Sequence, residues 1–128
     1  MAKYNTIDFD PAAPVAYVTL RNEATNAEWL DVPMQIDLGA DVTLIPKTTV
    51  DKLGLAIISD IRYELMGFDG TVSFAQAVEL TLLCCRRTFR GRYLLVEQNM
   101  GILGRDILNL MPLVFDGPRL EWFEYRRR

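Results

Sequence analysis

Asp37 and Asp41 flank Leu38, Gly39 and Ala40 in the stretch Met34 to Pro46, MQIDLGADVTLIP, which is the segment of the chain best suited to chemistry. Met34 and Ile36 occupy alternate positions, as on a half-buried strand, and Leu44-Ile45 begin another apolar run. Asp37 therefore falls where two core strands meet at a glycine-containing bend. A charge buried there without a partner would be very costly, so the carboxylate must be paired, hydrated or working. Two carboxylates in contact split their pKa values, leaving one ionised to take a proton and one protonated to give it. That is the requirement for acid–base work on water. Asp31, Asp60, Asp69, Asp106 and Asp116 read instead as turn, cap or surface residues.

The elements that must position this loop are short. Ala16 to Leu20 (AYVTL) reads as a first strand and Arg21 to Ala27 as a loop. Trp29 to Ile36 returns toward Asp37, with Pro33 marking an edge or an irregular entry. Pro46 to Gly54 has the signature of a short connector helix, with proline near its first turn and glycine just past its end. Asp69-Gly70 lies inside Ile61 to Ala77 and gives the strongest hairpin signal in the chain. Val78 to Leu83 and Arg92 to Val96 read as two strands around a basic turn, Arg86 to Gly91. Gly101 to Leu110 reads as a strand end broken at Gly104, followed by a short helix with Asp106 in its first turn. Leu113 to Phe115, a turn at Asp116-Gly117-Pro118 and the strand Leu120 to Tyr125 close the pattern. The sum is a mainly-β, barrel-like fold, expected as a single domain over residues 1–128.

Composition bounds the rest. A chain of 128 residues buries roughly two thirds of its unfolded surface, enough for a core without staples. The apolar and charged fractions, 50% and 24%, are those of an ordinary globular protein. Net charge is −3, and the basic residues gather at Arg86-Arg87, Arg90, Arg92 and Arg126-Arg127-Arg128 without forming a helical stripe, which argues against nucleic acid as a partner. Cys84 and Cys85 are adjacent, so a disulfide between them would be strained and free thiols are expected. With no histidine in the chain, a zinc site lacks ligands, so no metal or cofactor and a reducing, cytoplasmic setting are expected. The N-terminal MAKYNTIDFDPAAP lacks an apolar core of signal-peptide length, and no later run approaches the roughly 20 residues of a membrane span.

Three segments together resemble a known family. Asp37-Leu38-Gly39-Ala40-Asp41 followed by Thr43, the hairpin Gly67 to Gly70, and Ile102-Leu103-Gly104-Arg105-Asp106-Ile107-Leu108 come in the order and rough spacing of the retropepsin-like aspartic proteases. The closing Phe-Asp-Gly-Pro hairpin is similar to that of bacterial single-domain members. The resemblance covers nearly the whole chain. It implies a retropepsin-like closed barrel or sandwich with a flap hairpin, one short C-terminal helix and one short connector helix. It further implies that Asp37 is catalytic and that Leu38, Gly39 and Ala40 form the active-site loop. Asp41 and Arg105 would make an ion pair supporting that loop. The flap would run from Tyr63 to Phe74, with Met66, Gly67, Phe68, Asp69, Gly70 and Val72 over a peptide or protein substrate. Since peptide hydrolysis needs two carboxylates and the chain has one such loop, the resemblance implies a two-fold homodimer with Asp37 of each chain on the axis.

Leu38 departs from the family pattern. Members place Thr or Ser there, and its hydroxyl bonds across the axis; leucine cannot, and each backbone group left unmet costs on the order of 1 to 3 kcal/mol. Two further readings follow: a retropepsin-fold dimer that binds peptides with little or no cleavage, and an interaction module whose strand Leu120 to Tyr125 pairs between chains.

Overall fold

The computed structural model describes residues 2–67 and 69–126. Ten strands and two short helices follow one another along it: β1 (Ala2–Asn5), β2 (Ala13–Asn22), β3 (Ala27–Ile36), β4 (Leu44–Pro46), α1 (Lys47–Lys52), β5 (Ile58–Met66), β6 (Val72–Cys84), β7 (Arg87–Val96), β8 (Gly101–Leu103), α2 (Arg105–Leu108), β9 (Leu113–Asp116) and β10 (Glu121–Glu124). Period-two burial sets the pattern: Ala16, Val18 and Leu20 of β2 face Val32, Met34 and Ile36 of β3 in one core. The strands join in the order β5-β6-β7-β4-β8-β3-β2-β1-β10-β9, and β6 also pairs with β2. That extra pairing makes β6-β7-β4-β8-β3-β2 a ring, with the β5 edge and the β1-β10-β9 arm outside it. The expectation of a mainly-β, retropepsin-like architecture with a connector helix and a C-terminal helix holds.

Several boundaries differ from the sequence expectation. β2 and β3 run past their apolar cores because the loop between them shrinks to a turn: the Asn22 carbonyl accepts from Asn26 N at 2.8 Å and its side-chain oxygen from Ala24 N at 3.0 Å. Val78 to Leu83 is only part of the 13-residue β6. The turn to β7 narrows from Arg86–Gly91 to Cys85-Arg86, whose φ values of 53° and 61° suit a two-residue hairpin turn that matches strand twist. β1, unmarked by alternation, pairs with both β2 and β10. β10 is consequently not the open edge expected of Leu120 to Tyr125: Glu121 and Trp122 pair with β1 on one side and β9 on the other, and the edge strand of this arm is β9. Pro33 lies opposite Tyr17 one residue before β8 joins at Met34, so its missing N–H falls where β3 is still an edge.

α1 sits as the sequence suggests, capped by Pro46 and ended by Gly54 at φ +65°. α2 is pressed against the Asp37 loop. A Cβ on Gly104 would lie 2.5 Å from the backbone carbonyl of Val42, and neither backbone can step aside. Gly104→Ala is therefore expected to destabilise the fold by about 1 to 3 kcal/mol, the usual range for overpacking. Urea unfolding checks it, and a midpoint equal to wild type would contradict the close approach.

Candidate active site

β3 delivers Asp37 to the end of the core, and bonds from the C-terminal part of the chain fix the loop that follows. Asp37 N donates to Leu103 O at 3.1 Å, and Arg105 N donates to Ala40 O at 2.9 Å. Within the loop Ala40 N donates to Asp37 O at 3.2 Å, and Gly39 N donates to Asp37 Oδ1 at 2.9 Å. One carboxylate oxygen is thus oriented by the loop's own backbone. Asp37 is half-buried, whereas Leu38 is 58% exposed.

Under the loop lies a buried network. Thr43 is fully buried, and its hydroxyl donates to Asp106 Oδ1 at 2.6 Å while accepting from Gly104 N at 3.1 Å. Thr43 N donates to Asp106 Oδ2 at 3.1 Å, and Ile107 N donates to Oδ1 at 3.0 Å. Asp106 therefore accepts from both the loop strand and α2, bonds of the stronger, charge-assisted kind. The sequence reading placed Asp106 among turn and cap residues. It lies in the first turn of α2, whose N-cap is Gly104, and it supports the loop's exit. No local signal pairs two residues 63 positions apart.

Arg105 supports the loop by a different contact from the one expected. Its Nη1 donates to Leu38 O at 2.7 Å, and among the described residues no salt bridge joins it to Asp41. Asp41 is exposed, so its carboxylate is open to solvent, and the guanidinium donates to the Leu38 carbonyl, which has no other partner among the described residues. The Asp41–Arg105 ion pair is thus replaced by an Arg105–Leu38 backbone clamp.

The β5–β6 hairpin rises beside the loop. Ala75, Ala77 and Leu94 form a second small core with Val42, Leu44, Tyr63 and Leu65, which ties its base to the residues just past Asp41. At the tip Gly67 N donates to Thr71 O at 2.9 Å, Gly70 N donates to Gly67 O at 3.1 Å, and Gly70 takes φ +82°. Asp69 accepts from Thr71, whose side chain and N–H hold its carboxyl below the usual range, so Asp69 shapes the turn. Met66, Val72 and Phe74 are 72%, 44% and 67% exposed, while Phe68 lies outside the described residues. A cavity of about 390 Å³ between the hairpin and β7 is lined by Leu65, Phe74 and Leu95 with Lys47 and Arg62, and it does not include Asp37. Among the described residues no group of three or more acidic or cysteine side chains could hold a metal ion, and no helix is long and apolar enough to cross a membrane.

The strand ring, the loop seated on α2 and the protruding hairpin define a retropepsin-like fold. The chain is similar in structure to the EIAV protease complexed with the inhibitor HBY-793, with 19% identity, a TM-score of 0.56, and coverage of 82% of this chain and 90% of that one. It also matches a retropepsin-like aspartic protease from Rickettsia conorii at 15% identity and a TM-score of 0.45, over 87% of this chain and 86% of that one. No protein-family model and no curated protein matches the sequence.

Proposed function

We propose that the protein is an aspartic endopeptidase whose active site forms when Asp37 of two chains meet on a two-fold axis. The observation that carries this reading is the Asp37 loop itself: a half-buried carboxylate with one oxygen held by Gly39 N, clamped from behind by Leu103, Arg105 and the Thr43–Asp106 network. Such a loop keeps a carboxylate oriented without neutralising it. A second copy at contact distance would force the pair to share a proton, leaving one ionised group to activate water and one protonated group to polarise the peptide carbonyl. The fold shared with the EIAV protease agrees with a peptidase reading. The β5–β6 hairpin acts as the flap, with Met66 and Val72 toward an extended peptide carrying bulky apolar side chains at the cut. A peptide-library digestion at acid pH, with pepstatin-type inhibition as control, tests it; no cleavage at any enzyme concentration overturns it.

The second reading, a dimer that binds peptides without cutting them, is favoured by Leu38, which has no hydroxyl to bond across the axis. Leu38→Thr separates the two. Each new bond contributes about 0.5 to 1.5 kcal/mol and is made twice by symmetry. The opposing loss, for a leucine fully buried in the dimer, is about 1.5 to 3 kcal/mol per chain and is likewise taken twice. The gain prevails only where Leu38 keeps much of the 58% exposure it has in the single chain, and the expectation that follows is for that case. The threonine variant is expected to dimerise more tightly and cleave faster, measured by sedimentation across a dilution series with turnover on the same samples. A variant that dissociates more readily and cleaves no faster would identify Leu38 as an adapted apolar contact.

A further inference from the structure

The β6–β7 turn carries both cysteines of the chain. Cys84, the last residue of β6, is buried in the main core, whereas Cys85, at φ +53°, is half-exposed with its Sγ 3.6 Å from that of Cys84. Either sulfur can donate in this contact; burial disfavours a thiolate at Cys84, so Cys84 is the donor whenever Cys85 is ionised. Donation from Cys84 lowers the Cys85 thiol to about 7, against burial and the carboxylate of Glu124 and with help from Arg87. Cys84 is pushed up by the same contact and by burial. Cys85 also lines a cavity of about 270 Å³ whose walls include Arg86, Arg126, Trp122, Phe123 and Glu124. Glu124 accepts from Arg87 Nε at 2.8 Å, which leaves Arg86 and Arg126 to set the sign of the cavity toward an incoming group.

We propose that Cys85 is a thiol–disulfide exchange site that takes a mixed disulfide from a small anionic disulfide of the oxidised-glutathione class. The Cys85 thiolate attacks one sulfur of the small disulfide, a new S–S bond forms, and the old one breaks. The departing sulfur leaves as a thiolate that takes a proton from water. Cys85 is oxidised to the disulfide level and the departing sulfur is reduced, so no other oxidant enters. Arg86 and Arg126 meet the carboxylates of the retained half, and Trp122 and Phe123 cover its chain. Closure to a Cys84–Cys85 disulfide is disfavoured, because the sulfurs must approach from 3.6 Å to about 2.05 Å between neighbours on a turn whose ladder Cys84 closes opposite Arg87. The mixed disulfide therefore persists until an external thiol removes it.

Incubation of the full chain with oxidised glutathione, followed by intact mass and peptide mapping, tests the site. One glutathionyl group on Cys85, reversed by dithiothreitol and absent in Cys85→Ser, is expected. The reaction rate should rise through pH about 7. Cys84→Ser keeps a donor and should react at close to the wild-type rate. Cys84→Ala removes the donor, and the smaller thiolate fraction, partly offset by greater nucleophilicity, should slow the reaction about fivefold at neutral pH. Arg86→Ala with Arg126→Ala should slow the reaction with oxidised glutathione but not with uncharged 2-hydroxyethyl disulfide. Modification on Cys84, loss of both thiols without mass gain, an unchanged rate in Cys84→Ala, or equal slowing with both disulfides would overturn the proposal.

Discussion

On the proposed two-chain peptidase reading, replacing Asp37 by asparagine is expected to remove peptide cleavage while leaving the fold and the dimer in place. Asparagine keeps the shape of the side chain and an oxygen able to accept from Gly39 N, the bond that the aspartate makes at 2.9 Å. It cannot ionise, so a pair of such loops has no proton to share and no base for the attacking water. The loss of acid–base catalysis alone corresponds to a fall of about 10² to 10⁴-fold in turnover. Stability should change by no more than about 0.5 kcal/mol, since nothing in the core moves. Turnover and sedimentation measured on the same preparation read both halves of the expectation. Cleavage at the wild-type rate in a folded Asp37→Asn dimer would mean that the carboxylate is structural and that the catalytic reading fails.

Asp106→Ala is expected to have the largest effect on stability of any single change near the site. The substitution strands Thr43 N and the Thr43 hydroxyl in a position with no exposure, and it takes from Ile107 N its side-chain acceptor. Bonds to a carboxylate contribute about 1.5 to 3 kcal/mol each, and donors left buried without partners cost a similar amount, so a loss of about 2 to 4 kcal/mol is expected. Asp106→Asn, which keeps one acceptor oxygen, should lose less than half of that. Urea denaturation of the two variants beside wild type measures the difference. An alanine variant within about 0.5 kcal/mol of wild type would show that water replaces the carboxylate at no cost.

What the sequence makes legible follows from how local each signal is. Alternation in Ala16 to Leu20 and Trp29 to Ile36 found β2 and β3, proline and glycine bracketed α1, and Asp69-Gly70 marked the hairpin, because each rests on neighbours a few residues apart. The β6–β7 turn was read too wide because the arginines look like loop residues; on the exposed face of a ribbon they are strand residues, with Arg92 bonding Glu79 across it at 3.2 Å. β1 carries no alternation and exists only because β2 and β10 lie on either side of it. The loop around Asp37 was found from its own residues. Its supports are not legible there: Arg105 bonds the carbonyl of Leu38 rather than the side chain of Asp41, and Asp106, in the first turn of α2, holds Thr43. Which of two nearby oxygens a guanidinium chooses depends on desolvation at the site, which no residue pattern encodes.

Among the described residues, every hydrogen bond that fastens the Asp37 loop from behind comes from Leu103, Gly104, Arg105 or Asp106, some 61 to 67 residues further along the chain. A nascent chain made as far as Val96 already holds the whole of MQIDLGADVTLIP but none of those partners, and closing so long a loop must precede any of the contacts that compensate for it. The Asp37 loop therefore takes the conformation described above only after β8 and α2 have left the ribosome and docked. The timing of assembly, set by contact order, keeps the loop unformed during synthesis.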